Sequence, residues 1–232
     1  MATVADGLQA VLARIATAAR GCGRDPDSVR LVAVSKTFPP GALREAFAAG
    51  QRAFGESYLQ EALEKMQALS DLPLEWHFVG PIQSNKTRPI AEHFQWVQSV
   101  DRLKIAQRLN DARPLALPPL QVCIEVNITG EQTKSGVTPD RLVELASAVL
   151  ALRRLQLRGL MTIPQPTSDP AAQRAQFRQL RQLRDRVADR GICLDTLSMG
   201  MSDDLEAAIA EGATIVRVGR AIFGERARGS PH

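Results

Sequence analysis

Leu31-Val32-Ala33-Val34-Ser35-Lys36-Thr37-Phe38-Pro39-Pro40 is the stretch from which the rest of the chain can be read. A short apolar run that ends in a lysine and is stopped by two prolines has the length and punctuation of a buried strand. The same unit recurs. Apolar runs predict strands near 31–35, 53–54, 76–79, 96–100, 122–128, 157–163, 196–199 and 215–218. Helical periodicity falls between them, at 41–49, 60–70, 86–92, 101–111, 139–152, 171–190 and 203–211, with one more helical segment at about 3–19. Alternation at this spacing implies parallel strands joined by right-handed crossovers. Eight such strands in 232 residues fit an α/β fold, a (β/α)8 TIM barrel with an extra N-terminal helix, over residues 1–232 as a single domain. A doubly wound open sheet is the competitor, but no GxGxxG follows the first strand. The Pro/Leu stretch 113–120 is too short to separate domains.

Composition narrows the classes. The chain is 44% hydrophobic and 23% charged, an ordinary globular balance. Its net charge of +4 comes from scattered arginines rather than a block. The densest run, 174–190, places Phe177, Leu180, Leu183 and Val187 at helical spacing, so its arginines form the wet face of an amphipathic helix. Without aromatic interleaving or a known motif, it does not point to nucleic acid. Cys22, Cys123 and Cys193 are odd in number and far apart, which argues against a disulfide framework or a zinc site and for a reducing compartment. The N-terminus lacks the apolar core of a signal peptide, and no run approaches the ~20 apolar residues of a membrane span. A cytoplasmic protein, with neither membrane nor metal, is expected.

In a barrel, strand C-termini build the active face. Lys36 then stands at the end of the first strand, where partial desolvation favours a neutral, nucleophilic amine. Only five of the 29 basic residues are lysines. Such a bias keeps Lys where an amine is needed, since a guanidinium cannot form a Schiff base. The other reading is a lysine snorkelling to solvent. At equivalent points lie Gly55-Glu56-Ser57, Gly80 with Gln83 to Lys86, Asn127, Met199-Gly200-Met201-Ser202 and Gly219-Arg220. The last two follow strands seven and eight, where barrels often hold phosphate; each glycine taken singly also fits a tight turn. Ser202 before Asp203-Asp204 reads as an N-cap with an acidic first turn. Arg217 interrupts a β-branched run and needs a partner. That partner is either a carboxylate such as Glu125 or a ligand nitrogen, whose protonation a facing cation would disfavour.

An amine, a phosphate cradle and an arginine in one barrel mouth suggest pyridoxal 5′-phosphate. The segments from Leu31 to Lys36, Phe54 to Glu61, Trp76 to Lys86, Lys134 to Val137, Gly159 to Met161, Leu197 to Ser202 and Val216 to Gly224 together resemble the pyridoxal phosphate homeostasis protein family, in the family's order. The resemblance implies one barrel like the N-terminal domain of alanine racemase, with pyridoxal 5′-phosphate as an internal aldimine on Lys36. It puts Arg217 at the pyridine nitrogen, and Ser202, Gly219 and Arg220 at the phosphate, the last two through backbone N–H groups. Ser57, also at the cofactor, stands where the family usually has Asn. Arg220 stands where Thr or Ser is usual, exchanging a hydroxyl for a cation able to pair with phosphate.

The resemblance also implies control of cofactor supply rather than a reaction, with no catalytic residue assigned. Racemisation needs a second base opposite the lysine, which alanine racemase takes as a tyrosine from a second domain. Here Tyr58 is the sole tyrosine and the chain ends soon after Gly224, so no covering domain is expected. The first reading is therefore a carrier that binds and delivers the cofactor. Next comes a weak racemase or related enzyme using His77 or Tyr58 as second base, although a core histidine is the plainer account of His77. The third reading is a cofactor-free Schiff-base enzyme, such as an aldolase acting on a phosphorylated sugar. Lys134, in the loop 130–136, is either a second amine for transient transfer or an ordinary loop lysine. Small amino acids and apo-enzymes that accept the cofactor are the partners compatible with these readings. The segment around Leu8, Leu12 and Ile15 is expected to pack on the barrel, and a monomer is expected.

Overall fold

Each of the eight apolar runs becomes a strand. The computed structural model describes residues 3–131 and 134–225. Its strands are β1 (Arg30–Val34), β2 (Ala53–Glu56), β3 (Glu75–Phe78), β4 (Trp96–Val100), β5 (Leu120–Glu125), β6 (Leu155–Met161), β7 (Thr196–Ser198) and β8 (Ile215–Val218). Neighbours in sequence pair in parallel, and β8 pairs with β1 to close the barrel. The helices are α1 (Val4–Gly21), α2 (Pro40–Ala48), α3 (Leu59–Ala68), α4 (Thr87–His93), α5 (Leu103–Ala112), α6 (Leu142–Leu150), α7 (Pro170–Ala188), α8 (Leu205–Ala210) and α9 (Arg220–Phe223). The fold is a TIM barrel. Three sequence expectations are adjusted. The fifth strand stops at Glu125, with only a bridge from Val126 to Val137 beyond it. A four-residue helix, α9, follows Gly219; it is too short to show a hydrophobic period. Helix α8 begins at Leu205 behind Asp204, so Ser202 is not its N-cap. The Asp204 carboxylate instead accepts from the Met201 N–H at 2.6 Å, which holds the preceding loop in a turn.

Because successive strand residues point to opposite faces, the core divides in two. Leu31, Ala33, Phe54, Val97, Leu160 and Val216 belong to the large cluster between the strands and the surrounding helices. Val32, Ala53, Trp96, Cys123, Met161 and Ile215 form a separate cluster inside the barrel. Each fully buried Leu or Phe stabilises the fold by about 1.5–3 kcal/mol relative to exposure.

Helix α1 starts with a reciprocal cap. Thr3 Oγ1 accepts from the Asp6 N–H and Asp6 Oδ2 accepts from the Thr3 N–H. The helix buries Leu8, Val11, Ile15 and Ala19 against α2, α8 and α9, while Leu12 faces solvent at its edge. On α7 the arginine run is a wet face with a purpose. Arg174, Arg178 and Arg181 converge on the buried carboxylate of Glu211 at the end of α8, at 3.0, 3.1 and 3.0 Å. No helix among the described residues is long and apolar enough to cross a membrane.

Candidate functional site

The strand C-termini open onto a cavity of about 530 Å³. It is lined by Lys36 after β1, Ser57 after β2, Val79 after β3, Ile163 after β6, Met201 to Asp203 after β7, and Arg217, Gly219 and Arg220 on and after β8. All six candidate residues, Lys36, Ser57, Ser202, Arg217, Gly219 and Arg220, are therefore brought together. Lys36 is half-buried. Phe38, which stacks on Phe223 with ring centroids 5.0 Å apart, supplies an apolar wall.

Arg217 sits at the base of this cavity and is only 4% exposed. The carboxylate partner considered for it is not there: no carboxylate among the described residues lies within ion-pair distance. Its Nη1 donates to Ser198 Oγ at 2.7 Å and its Nη2 to the Thr162 carbonyl at 2.8 Å. Ser198 Oγ passes its own hydrogen to Gln98 Oε1 at 2.6 Å, which turns the Gln98 amide toward His77 Nδ1 at 2.9 Å. The acceptor role this gives Nδ1 leaves the His77 proton on Nε2, where it meets Glu75 Oε1 at 2.5 Å. Arg30 closes the chain on Glu75 at 2.9 Å. A polar relay thus threads the barrel interior from one mouth to the other. Burial keeps His77 below its ordinary pKa and neutral, against the opposing pull of Glu75. The Arg217 guanidinium is itself pushed down to about 10 by burial, with Glu125, Asp204 and Cys123 pulling the other way. Glu125 is raised to about 7 by burial and by Asp101, against the pull of Arg217.

Close backbone approach shapes the loops around the cavity. A Cβ on Gly219 would come within 2.9 Å of the Val34 carbonyl, two residues before Lys36, and one on Gly80 within 2.4 Å of the Ser57 carbonyl. Glycine at both positions lets the loops draw in around the cavity. Arg14 of α1 donates to the Ser202 carbonyl at 2.9 Å while paired with Glu206, so the N-terminal helix fixes the loop after β7. Nothing in the sequence marked Arg14 for that task. Arg220 pairs with Asp203 at 2.5 Å, and both are exposed. This pair joins the loops after β7 and β8 at the cavity rim.

Residues outside the cavity matter too. His77 is fully buried with both ring nitrogens engaged, a core histidine. Tyr58 precedes α3 and does not line the cavity. Lys134 pairs with Glu131 at 2.9 Å in a loop organised by Asn127, also away from the cavity. Sequence reasoning missed Lys65, which is 3% exposed and packed against the end of β1. The scarcity of lysine was the signal that could have found it.

The sequence profile described as the N-terminal domain of alanine racemase matches residues 7–227. The chain is 63% identical over 231 residues to the pyridoxal phosphate homeostasis protein of Pseudomonas aeruginosa, covering 100% of this chain and 99% of that one. It is 52% identical to the Escherichia coli protein of the same name, over 97% and 98% of the two chains. The chain belongs to the pyridoxal phosphate homeostasis protein family. Among solved structures, PipY of Synechococcus elongatus with pyridoxal phosphate bound superimposes on this family member with a TM-score of 0.84 at 38% identity, covering 96% of this chain and 100% of PipY. An alanine racemase of Clostridium difficile shares only the fold, with a TM-score of 0.72 at 15% identity over 92% of this chain and 56% of the racemase.

Proposed function

We propose that this protein binds pyridoxal 5′-phosphate at the C-terminal mouth of its barrel, holds it as a Schiff base on Lys36, and serves to store and deliver it in the cytoplasm. One observation carries the reading: a buried arginine whose partners among the described residues are neutral lines the same cavity as a strand-end lysine. A buried cation is costly unless it is paired, so Arg217 has capacity to meet an acceptor that arrives with a ligand, here the pyridine nitrogen. The cavity also suits the other end of such a ligand. Glycine at 219, where a Cβ would meet the Val34 carbonyl, lets the end of β8 approach β1 closely, and Ser202 and Arg220 line the cavity beside it. The cofactor supplies an electrophilic aldehyde. The Lys36 nitrogen takes the place of the aldehyde oxygen, which leaves as water, and addition of water reverses the step.

Storage is favoured over catalysis because a racemase needs a second base across the ligand from the lysine. His77 has no nitrogen to offer, and Tyr58 lies outside the lining. We extend the proposal to the chain as one cofactor-binding domain, acting as a monomer and passing cofactor to apo-enzymes. Three free thiols fit a reducing compartment. The test is spectroscopic. Protein mixed with pyridoxal phosphate should gain a visible absorption band that borohydride abolishes, with the reduced label on Lys36 and none in Lys36→Ala. Protein that stays colourless sinks the reading. Rapid, saturable exchange of the Cα hydrogen of added amino acids in deuterated water would sink storage in favour of catalysis.

A further inference from the structure

Lys36 lies in a tight turn whose two flanking peptide groups are gripped by one side-chain cluster. The Phe38 N–H donates to the Ser35 carbonyl at 3.0 Å, making Lys36 and Thr37 the central residues of a four-residue turn. Thr37 has φ 71°, and it is the only non-glycine residue with positive φ among the described residues. Positive φ at the second central residue alone is the type II pattern, a place for glycine. A β-branched residue there is strained. Something must hold it.

Lys65 supplies the hold from behind the strand. Its Nζ donates to the Ser35 carbonyl at 2.7 Å, to Glu56 Oε1 at 2.8 Å and to Glu61 Oε1 at 2.5 Å. Glu61 Oε1 in turn accepts the Thr37 N–H at 2.5 Å, and Glu56 Oε1 accepts the Ser35 hydroxyl at 2.6 Å. The carbonyl before Lys36 therefore ends on Lys65 and the N–H after it on Glu61, and Lys65 joins Glu61 to Glu56. A lysine placed only to fill space would need one carboxylate. Here there are two, and both also bind a neighbour of Lys36.

We infer that Lys65, Glu56 and Glu61 act as positioning residues that lock the Ser35–Phe38 turn and so aim the Lys36 amine into the cavity. This rests on the proposal that Lys36 takes the aldehyde. The cluster then governs the covalent step and leaves capture of the phosphate end untouched. Two ligands separate these effects: pyridoxal phosphate, and pyridoxine phosphate, which has an alcohol in place of the aldehyde and cannot condense. Glu61→Gln keeps an oxygen for Thr37 but loses the charge, and it sits where folding tolerates the change, since Glu61 is partly exposed. It should lower the apparent affinity for pyridoxal phosphate by about tenfold, the scale of one charge-assisted hydrogen bond, with pyridoxine phosphate within about twofold of wild type. Adding Thr37→Gly, which accepts positive φ without strain, should restore much of the loss. Equal weakening of both ligands, or no weakening of either, overturns the inference, as does a Thr37→Gly change that deepens the defect. Absence of reduced label on Lys36 in the wild type overturns the Schiff-base reading itself, and the inference with it.

Discussion

Two buried cations near the barrel mouth, Lys65 and Arg217, are treated in opposite ways. Lys65 is enclosed by Glu56 and Glu61, so its charge is cancelled within the fold. Arg217 is equally buried but, among the described residues, meets a hydroxyl and a carbonyl and no carboxylate, with its orientation set by Ser198, Gln98 and His77. A neutralised cation has finished its electrostatic work and can only hold structure. An unneutralised one keeps a field directed at whatever enters the cavity. The difference separates support from site using charge balance alone.

The comparison breaks most readily at Lys65. Lys65→Met leaves the fully buried Glu56 without its cation, and should cost about 3–5 kcal/mol in urea unfolding. Burial already raises the Glu56 carboxyl above its ordinary range despite Lys65, so the variant should hold that carboxyl protonated to higher pH. A mild loss would mean that Lys65 does not neutralise Glu56. Arg217→Met should behave in the reverse sense. With no ion pair to break, the ligand-free protein should lose little stability, within about 1 kcal/mol. Affinity for pyridoxal phosphate should fall by about 2–3 kcal/mol in a titration followed by absorbance, as expected for loss of a charged donor. Equal damage to stability and affinity would erase the distinction.

Glu125 gives a smaller, sharper test through pH. Its folded-state pKa of about 7 lies above the ordinary value of 4.5, so the folded protein binds this proton more tightly than the unfolded chain. The resulting stability is fully present below about pH 4.5 and is lost as pH rises through about 7. Relative to wild type, Glu125→Gln should therefore remove a loss of roughly 2 kcal/mol between those limits, seen in unfolding curves at pH 5 and pH 8. Because Arg217 lowers the Glu125 pKa, Arg217→Met should shift the loss to higher pH. An unmoved transition would show that the Arg217 charge is screened and does not reach its surroundings.

Much of the architecture was legible along the chain because strands and helices alternate with clear punctuation. The runs around Val32, Val97 and Val216 read correctly since a strand buried on both faces is apolar throughout. Helix α9 was not legible: four residues carry no period, and Gly219 looked like a turn. Ser202 looked like an N-cap because cap residues recur in loops, and only the Asp204 contact to Met201 shows where α8 begins. The six cavity residues were found because strand ends are readable once a barrel is assumed. The carboxylate alternative for Arg217 failed for a different reason. Glu125 lies near enough to shift its charge balance but outside ion-pair distance, and no sequence pattern distinguishes the two.

By itself, the sequence determined the barrel, the strand-end lysine and the glycine-bearing loops, because these depend on local periodicity and turn chemistry. Tertiary structure alone decided which polar groups meet. The relay from Glu75 through His77, Gln98 and Ser198 to Arg217 spans four strands, and Ser198 and Gln98 are 100 residues apart. Such contacts exist only after the sheet closes and its register brings inward-facing side chains level. The same holds for Lys65 beneath Ser35. Helix spacing pairs it with Glu61 at i,i+4, but nothing along the chain points to Glu56, because charge pairing across elements is fixed by geometry that a one-dimensional pattern does not carry.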